Sequence, residues 1–395
     1  MQTASAPSST SLRIALIGTR GIPAAYGGFE TAVEEVGRRL VERGHRVLVY
    51  GRDAGTAGDV HLGMRRVTLP AVRQKALETL SHTALSTVHA VTRARPDAAF
   101  VFNAANSPFL PLLRARRIPV ALHMDGLEWR RSKWGPRGKA YYRAAESFGV
   151  RQADAIIADA PGIGDYYDHQ FAVASELIRY GAPLLDDAPS DGIRELGLEP
   201  DGYHLVVARF EPENHVREIV EGYAMSSAAK PLVVVGSAPY AAEYTAAIDR
   251  IAASDPRIRL LGAVYDQGLL DALYHHASTY LHGHSVGGTN PSLLRAMGAG
   301  TAVVAFDVVF NREVLDEEGW YFRTPGDVAA AVNAAESDAG AVAAASHSAR
   351  RRAAEAFSWD DVAAAYEDLA RRLAAGDSIH PLARRAHRAE TEWPG

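Results

Sequence analysis

Short apolar runs recur along the chain, each followed by a stretch with helical spacing. The runs Arg13–Ile17, Arg46–Tyr50, Ala98–Phe102, Pro119–His123 and Ala155–Ala158 are dominated by aliphatic and aromatic residues and lack polar alternation. A second series follows at His204–Val207, Leu232–Val235, Ile258–Leu261, Thr279–Leu281 and Ala302–Ala305. Strands covered on both faces read this way, because neither side of the pleat meets water. Between them lie helical candidates: Phe29–Arg43, stopped by Gly44, then Asn290–Gly298 and Asp360–Ala374. This alternation predicts an α/β fold built on doubly wound parallel sheets.

The pattern restarts near His204, after a stretch from Gly181 to Gly202 that holds Pro183, Pro189 and Pro200. The chain therefore reads as two α/β domains of like grammar facing a central cleft, residues 12–185 and 186–356. The Ala/Leu spacing of a last helix, 357–376, permits it to pack back on the first domain. The polar ends, 1–11 and 377–395, read as disordered tails. No run approaches the ~20 apolar residues that span a bilayer. The N-terminus also lacks the basic n-region of a signal peptide. A cytoplasmic protein is expected, with peripheral contact at the inner face of the membrane as an open alternative.

Composition changes this picture in two places. Cysteine is absent, which excludes disulfides, a Cys nucleophile, Cys-ligated zinc and iron–sulfur clusters. The net charge of −5 hides an asymmetry: residues 1–185 carry 24 Lys+Arg against 16 Asp+Glu, and residues 186–395 carry 18 against 31. The two halves are different electrostatic objects.

Candidate chemistry lies where strands end. After the first strand comes Gly18-Thr19-Arg20-Gly21-Ile22-Pro23, then Tyr26-Gly27-Gly28-Phe29-Glu30. A Gly-rich turn running into a helix start is a natural anion site, since backbone N–H groups and the helix dipole both favour negative charge. The bland alternative is a turn with no ligand. Neither a dinucleotide fingerprint nor a P-loop is present. His123 and Asp125 lie two apart beyond a strand, so an extended backbone turns both to one side, where they can hold a hydroxyl or take a proton. The alternative is a histidine satisfied by local backbone.

The segment Arg130-Arg131-Ser132-Lys133-Trp134 through Arg143 interleaves six basic residues with aromatics. It reads as a solvated basic helix, as an acceptor or anionic-lipid face, or, least favoured, as a nucleic-acid contact. Nucleic acid is not an expected partner, because no recognition module is visible. In the second half, Arg209 follows a strand, where its planar fork can clamp a diphosphate. Gly287-Gly288-Thr289-Asn290-Pro291 then reads as a loop opening a helix, with Thr289 or Asn290 as N-cap and phosphate oxygens at its start. His282 and His284 share a face, but no third ligand is convincingly spaced, so a metal is not expected.

With these pieces in order, the chain resembles the retaining, nucleotide-sugar-dependent glycosyltransferases of family four with the GT-B fold. The nearer resemblance is to the branch with rhamnosyltransferases of bacterial surface polysaccharide synthesis. It covers about residues 12–375 and rests on G-T-R-G-I-P-A-A-Y-G-G-F-E, H-M-D-G-L-E-W-R-R-S-K-W, A-R-F-E-P-E-N and H-G-H-S-V-G-G-T-N-P-S-L-L-R-A-M. It implies two Rossmann-like domains, the first binding a saccharide or lipid-linked acceptor and the second a nucleoside-diphosphate sugar as co-substrate, with no cofactor. By the resemblance, Gly27 and Gly28 approach the donor diphosphate and His123 contacts the transferred sugar. Arg209, Gly288, Thr289 and Asn290 hold the diphosphate, and Val264 and Tyr265 receive the base. Glu313, after the Ala302–Ala305 strand, is a further cleft candidate.

Two departures matter. Arg295 stands where the family usually has a glutamate that holds ribose hydroxyls, and a guanidinium accepts no hydrogen bond. Gly287 stands at the earlier glutamate of that pair. The lysine that often follows the phosphate arginine is also absent, with Asn214 and His215 there instead. Arg295 motivates the alternative reading: a catalytically impaired nucleotide-sugar-binding relative with a regulatory or scaffolding role. Another GT-B activity, such as epimerisation, is disfavoured by the basic, aromatic acceptor face, and a nicotinamide dehydrogenase by the missing fingerprint.

Overall fold

The structure is a computed structural model that describes residues 10–24, 28–52, 58–72, 74, 77–124, 126–131, 134–238, 241–316 and 319–379. The first half builds an eight-stranded sheet from β1 (Arg13–Ile17), β2 (Arg46–Gly51), β3 (Val60–His61), β4 (Met64–Thr68), β5 (Ala98–Phe102), β6 (Val120–His123), β7 (Ala155–Ala158) and β8 (Glu176–Leu177). Their order is β3-β4-β2-β1-β5-β6-β7-β8, parallel except for the β3–β4 pair. The helices here are α1 (Gly28–Glu42), α2 (Glu78–His89), α3 (Leu110–Ala115), α4 (Pro136–Gln152) and α5 (Pro161–Phe171).

The second half repeats the plan. Its strands are β9 (His204–Val207), β10 (Leu232–Val235), β11 (Ile258–Gly262), β12 (Thr279–His282), β13 (Ala302–Phe306) and β14 (Trp320–Phe322). They run parallel in the order β11-β10-β9-β12-β13-β14. Around them lie α6 (Asp191–Glu195), α7 (Val216–Met225), α8 (Ala242–Ser254), α9 (Gln267–His275), α10 (Pro291–Gly298), α11 (Val309–Leu315), α12 (Pro325–Ser337) and α13 (Ala339–Ala356). The doubly wound α/β class read from the sequence is the observed one.

The apolar runs became strands because they fill the sheet interiors. All five residues of β5 and all four of β10 are buried. Four strands escape the apolar pattern. β4 carries Arg65 and Arg66 and lies near an outer edge. β3 and β8 have two residues each, and β14 only three.

The last helix, α14 (Trp359–Ala375), leaves the second half and lies on the first. It buries Trp359, Val362, Tyr366, Leu369 and Leu373, with Tyr366 edge-on to Phe100 of β5 at 4.9 Å. Polar contacts tie it to α1: Arg39 to Asp360 at 2.7 Å and Arg43 to Glu367 at 3.2 Å. Among the described residues no helix is long and apolar enough to cross a membrane.

Strand order reverses direction between β1 and β5 in one sheet and between β9 and β12 in the other. Loops leaving such a switch point diverge and open a crevice beyond the carboxyl ends of the strands. The loops singled out in the sequence, after β1, β9 and β12, leave from these points.

Candidate functional site

The site is built from helix starts. After β1 the chain turns at Gly18, whose φ is +106° and where a Cβ would stand 2.5 Å from the Phe102 carbonyl oxygen. Two α1 carboxylates hold this loop: Glu30 accepts from the Arg20 N–H at 2.9 Å, and Glu34 from the Ala24 N–H at 2.9 Å. Gly28 opens α1, and a Cβ there would lie 2.8 Å from Cγ of Pro291, the first residue of α10. Two helix N-termini, one from each half, therefore abut. Gly27 lies outside the described residues.

The α10 start is set by Asn290, the N-cap, whose Oδ1 accepts from the Ser292 N–H at 3.0 Å and the Ser292 hydroxyl at 2.8 Å. Thr289 does not turn its hydroxyl to an open anion site. It donates to the backbone oxygen of Asp159, 2.7 Å away at the end of β7 in the other half. A Cβ on Gly288 would collide with the Asp159 carboxylate at 2.0 Å. The halves meet again at Gly126, where a Cβ would stand 2.8 Å from Cα of Gly287. Gly28 and Gly288 are the glycines that the resemblance puts beside the donor diphosphate. In the structure they are also room for the opposite half.

Arg209 follows β9. Its carbonyl accepts from Asn214 Nδ2 at 2.8 Å and the Glu211 N–H at 2.7 Å, which pins the loop. Its side chain is 39% exposed and lies 3.4 Å from the buried Glu211 carboxylate. His215 stacks on Phe306 at 3.8 Å and shares its Nδ1 with the Gly283 carbonyl at 2.8 Å. Asn214 and His215 thus act on the loop backbone.

His123 ends β6 and is 2% exposed. It stacks on Phe102 at 5.4 Å and meets Phe29 edge-on at 5.2 Å. Burial pushes its pKa down to about 4, against the effect of the Met124 carbonyl 3.2 Å from Nδ1. The imidazole is therefore neutral at pH 7. Nδ1–H donates to that carbonyl, which makes Nε2 the acceptor. Its partner in the sequence reading, Asp125, lies outside the described residues.

The basic and aromatic segment needs correction. Arg130 is exposed, as a surface face requires, and Lys133 lies outside the described residues. Arg131 and Trp134 turn inward. Arg131 Nε lies 2.6 Å from Glu128, a carboxylate only 6% exposed, and Trp134 Nε1 donates to the same group at 3.0 Å. A buried carboxylate needs charge and hydrogen bonds, and these two side chains supply them.

Glu313 bridges the halves: its Oε1 accepts from the Gly162 N–H at 2.9 Å, at the start of α5. Burial raises its pKa. Tyr265 is 72% exposed beside half-buried Val264, on the loop between β11 and α9. Arg295 turns away from the α10 start toward α9. It pairs with Asp271 at 2.6 Å and donates to the Gln267 side chain at 3.0 Å. An Arg295→Glu substitution is therefore expected to set two carboxylates together and to cost about 1–2 kcal/mol of stability. Adding Asp271→Arg should recover most of that loss. Urea denaturation of the wild type and the two variants checks this, and an unchanged midpoint in Arg295→Glu would refute the pairing.

Asp159, Glu128 and the inward turn of Arg131 were not read from the sequence. The available signal for Asp159 was Asp159-Ala160-Pro161-Gly162, a strand end followed by Pro in the first helical turn. Among the described residues no three His, Asp or Glu side chains gather as a metal site.

Residues 27–181 match the glycosyl transferase 4-like domain, and residues 202–338 match the glycosyl transferases group 1 domain. No curated protein matches the chain by sequence. Among solved structures, it is similar to sucrose-phosphate synthase from Thermosynechococcus elongatus (TM-score 0.79, 21% identity, 92% of this chain and 99% of that one). Anabaena HepE in complex with UDP-glucose follows at TM-score 0.72 and 16% identity, over 91% and 100% of the two chains. A glycosyltransferase from Rickettsia africae aligns at TM-score 0.71 and 11% identity, over 93% and 100%. At these identities the likeness speaks to the fold.

Proposed function

The chain belongs to the GT-B glycosyltransferases, and from that membership we propose that it moves a sugar from a nucleoside-diphosphate donor to a hydroxyl acceptor with retention of configuration. One observation carries the donor assignment: the α1 and α10 starts abut at Gly28 and Pro291, and the accessible guanidinium of Arg209 stands at the end of β9. A helix start from each half and a planar fork suit the negative charge of a diphosphate. That HepE was solved with UDP and with UDP-glucose supports a nucleotide-sugar donor.

In this mechanism the C1–O bond of the donor breaks and its electron pair stays on the phosphate oxygen. The acceptor oxygen bonds to C1, and its proton passes to that phosphate oxygen. No side chain serves as nucleophile. Arg209 and the helix starts meet the developing charge in place of a divalent cation. His123 and Asp125 position the sugar, and Val264 and Tyr265 receive the base. The acceptor, a saccharide or lipid-linked saccharide, is assigned to the first half. Rhamnose is our reading of the transferred sugar, on the motif resemblance. We place the reaction in the cytoplasm, with peripheral contact at the inner face of the membrane.

The test is a thermal-shift screen with dTDP-, UDP- and GDP-sugars, followed by product detection with the best donor. A ligand near 100 times its Kd is expected to add ~2.7 kcal/mol of stability. Silence across all three nucleotide classes would sink the donor assignment.

A further inference from the structure

α2 reverses the usual sidedness of a surface helix. Its fully buried residues are polar: His82, Thr83, Ser86 and Thr87. Leu77, Leu85 and Val88 lie on the opposite side, each between 42% and 48% exposed. The polar side is held inward by specific bonds. His82 Nε2 lies 2.9 Å from the Gly51 carbonyl, Arg52 donates to the Thr79 hydroxyl at 2.8 Å, and the Tyr50 hydroxyl meets His89 Nδ1 at 3.1 Å. On the outer side the hydroxyls are spent on backbone. Ser81 donates to the Glu78 carbonyl at 3.2 Å and accepts from the Val72 N–H at 2.9 Å, and Thr92 donates to the Val88 carbonyl at 2.7 Å. The Val72 bond brings a fourth exposed apolar residue to the stripe.

The neighbouring helices add charge. The π-helical turn Ala90–Ala94 that continues α2 packs with α3 and α4 on one face of the first sheet, and α3 touches both α2 and α4. α3 exposes Leu112 and is followed by exposed Arg116 and Arg117. α4 carries Arg137, Lys139, Arg143 and Arg151 against one carboxylate, Glu146, which is buried and accepts the Tyr167 hydroxyl at 2.7 Å. The one carboxylate of α2, Glu78, pairs with Arg52 at 3.3 Å. Asp97 and Asp154, beside Arg117 at the strand starts, accept the backbone N–H groups of Arg13 and Val120.

Resting on the peripheral-contact reading above, we propose that this face docks on an anionic bilayer. α2 lies in the interface plane with Val72, Leu77, Leu85 and Val88 inserted, and the cations of α3 and α4 meet the headgroups. Four side chains, each about half exposed, fall far short of the ~800 Å² per partner that a stable dimer covers, so the area does not favour a second copy. A bilayer asks less, because shallow apolar insertion and headgroup attraction add. β4 runs parallel to β2 and β1, so α2 begins at the end of the sheet from which the Gly18 loop leaves. Docking therefore sets the cleft mouth near the lipid that would carry an acceptor.

The test is sedimentation of the full chain with vesicles of equal parts phosphatidylcholine and phosphatidylglycerol, and with phosphatidylcholine alone. Wild type is expected to bind the anionic vesicles at low salt and to weaken at about 1 M salt, where the screening length is ~3 Å. Leu85→Gln with Val88→Gln should weaken that binding by about tenfold or more and keep the thermal midpoint, since both side chains already meet water. Arg137→Gln with Lys139→Gln should remove much of the salt dependence. Binding that survives the α2 change would overturn this face and leave the peripheral reading standing. Wild type that binds neither vesicle would overturn both. A concentration-dependent dimer in sedimentation velocity, abolished by the α2 change, would replace the bilayer with a second copy.

Discussion

Arg209→Ala is expected to lower kcat/KM with a competent nucleoside-diphosphate sugar by about 100-fold or more. The loop that carries Arg209 is pinned by Asn214 Nδ2 and the Glu211 N–H on its carbonyl, so the side chain starts from a fixed place. Its guanidinium is already accessible at 39% exposure. A preorganised donor aimed at developing charge is worth about 2.7–4 kcal/mol, or 10²–10³ in rate. The substitution also removes the cation beside Glu211, which is 2% exposed. The thermal midpoint should therefore be measured with the rate, to separate lost chemistry from lost folding. A fall of less than tenfold, about 1.4 kcal/mol, would mean that Arg209 is not the diphosphate clamp.

The second large effect is structural. Trp359→Ala is expected to cost about 3–5 kcal/mol, the range for deleting a buried aromatic side chain. Trp359 opens α14, is 8% exposed, and packs over Gly181, where a Cβ would stand 2.2 Å from the indole. Next to it the Ala182 N–H donates to the Phe357 carbonyl at 2.7 Å, so two distant segments are sewn together by backbone as well. Gly181→Val should destabilise through the same contact, from the other side. Chemical denaturation of both variants tests the claim, and a loss below about 1 kcal/mol in Trp359→Ala would show that the indole does not anchor the helix.

The sheets were readable because their central strands are buried on both faces and so carry unbroken apolar runs, as in Ala98–Phe102 and Leu232–Val235. β4 was not, because an outer strand tolerates Arg65 and Arg66. The loops around Arg209 and Asn290 were legible from residue types that suit strand ends and helix starts. Contacts between the halves were not. Thr289 meets Asp159 across 130 positions, and Glu313 meets Gly162 across 151. Local spacing holds no information about such pairs, since they depend on how two finished sheets face each other. Arg131 shows the same limit: its neighbours Arg130 and Trp134 suggested a surface, and a buried Glu128 three positions away decided otherwise.

The path of α14 has a consequence for how this protein is made. The first half leaves the ribosome first, yet Phe100 and the buried face of α1 wait for Tyr366 and its neighbours, which are translated near the end. Until then an apolar seam on the earlier half stays open to water, to chaperones and to other nascent chains. A fragment ending at residue 185 would keep that seam exposed for good. Its adhesion to liposomes would then report the missing helix rather than the basic charge of the first half.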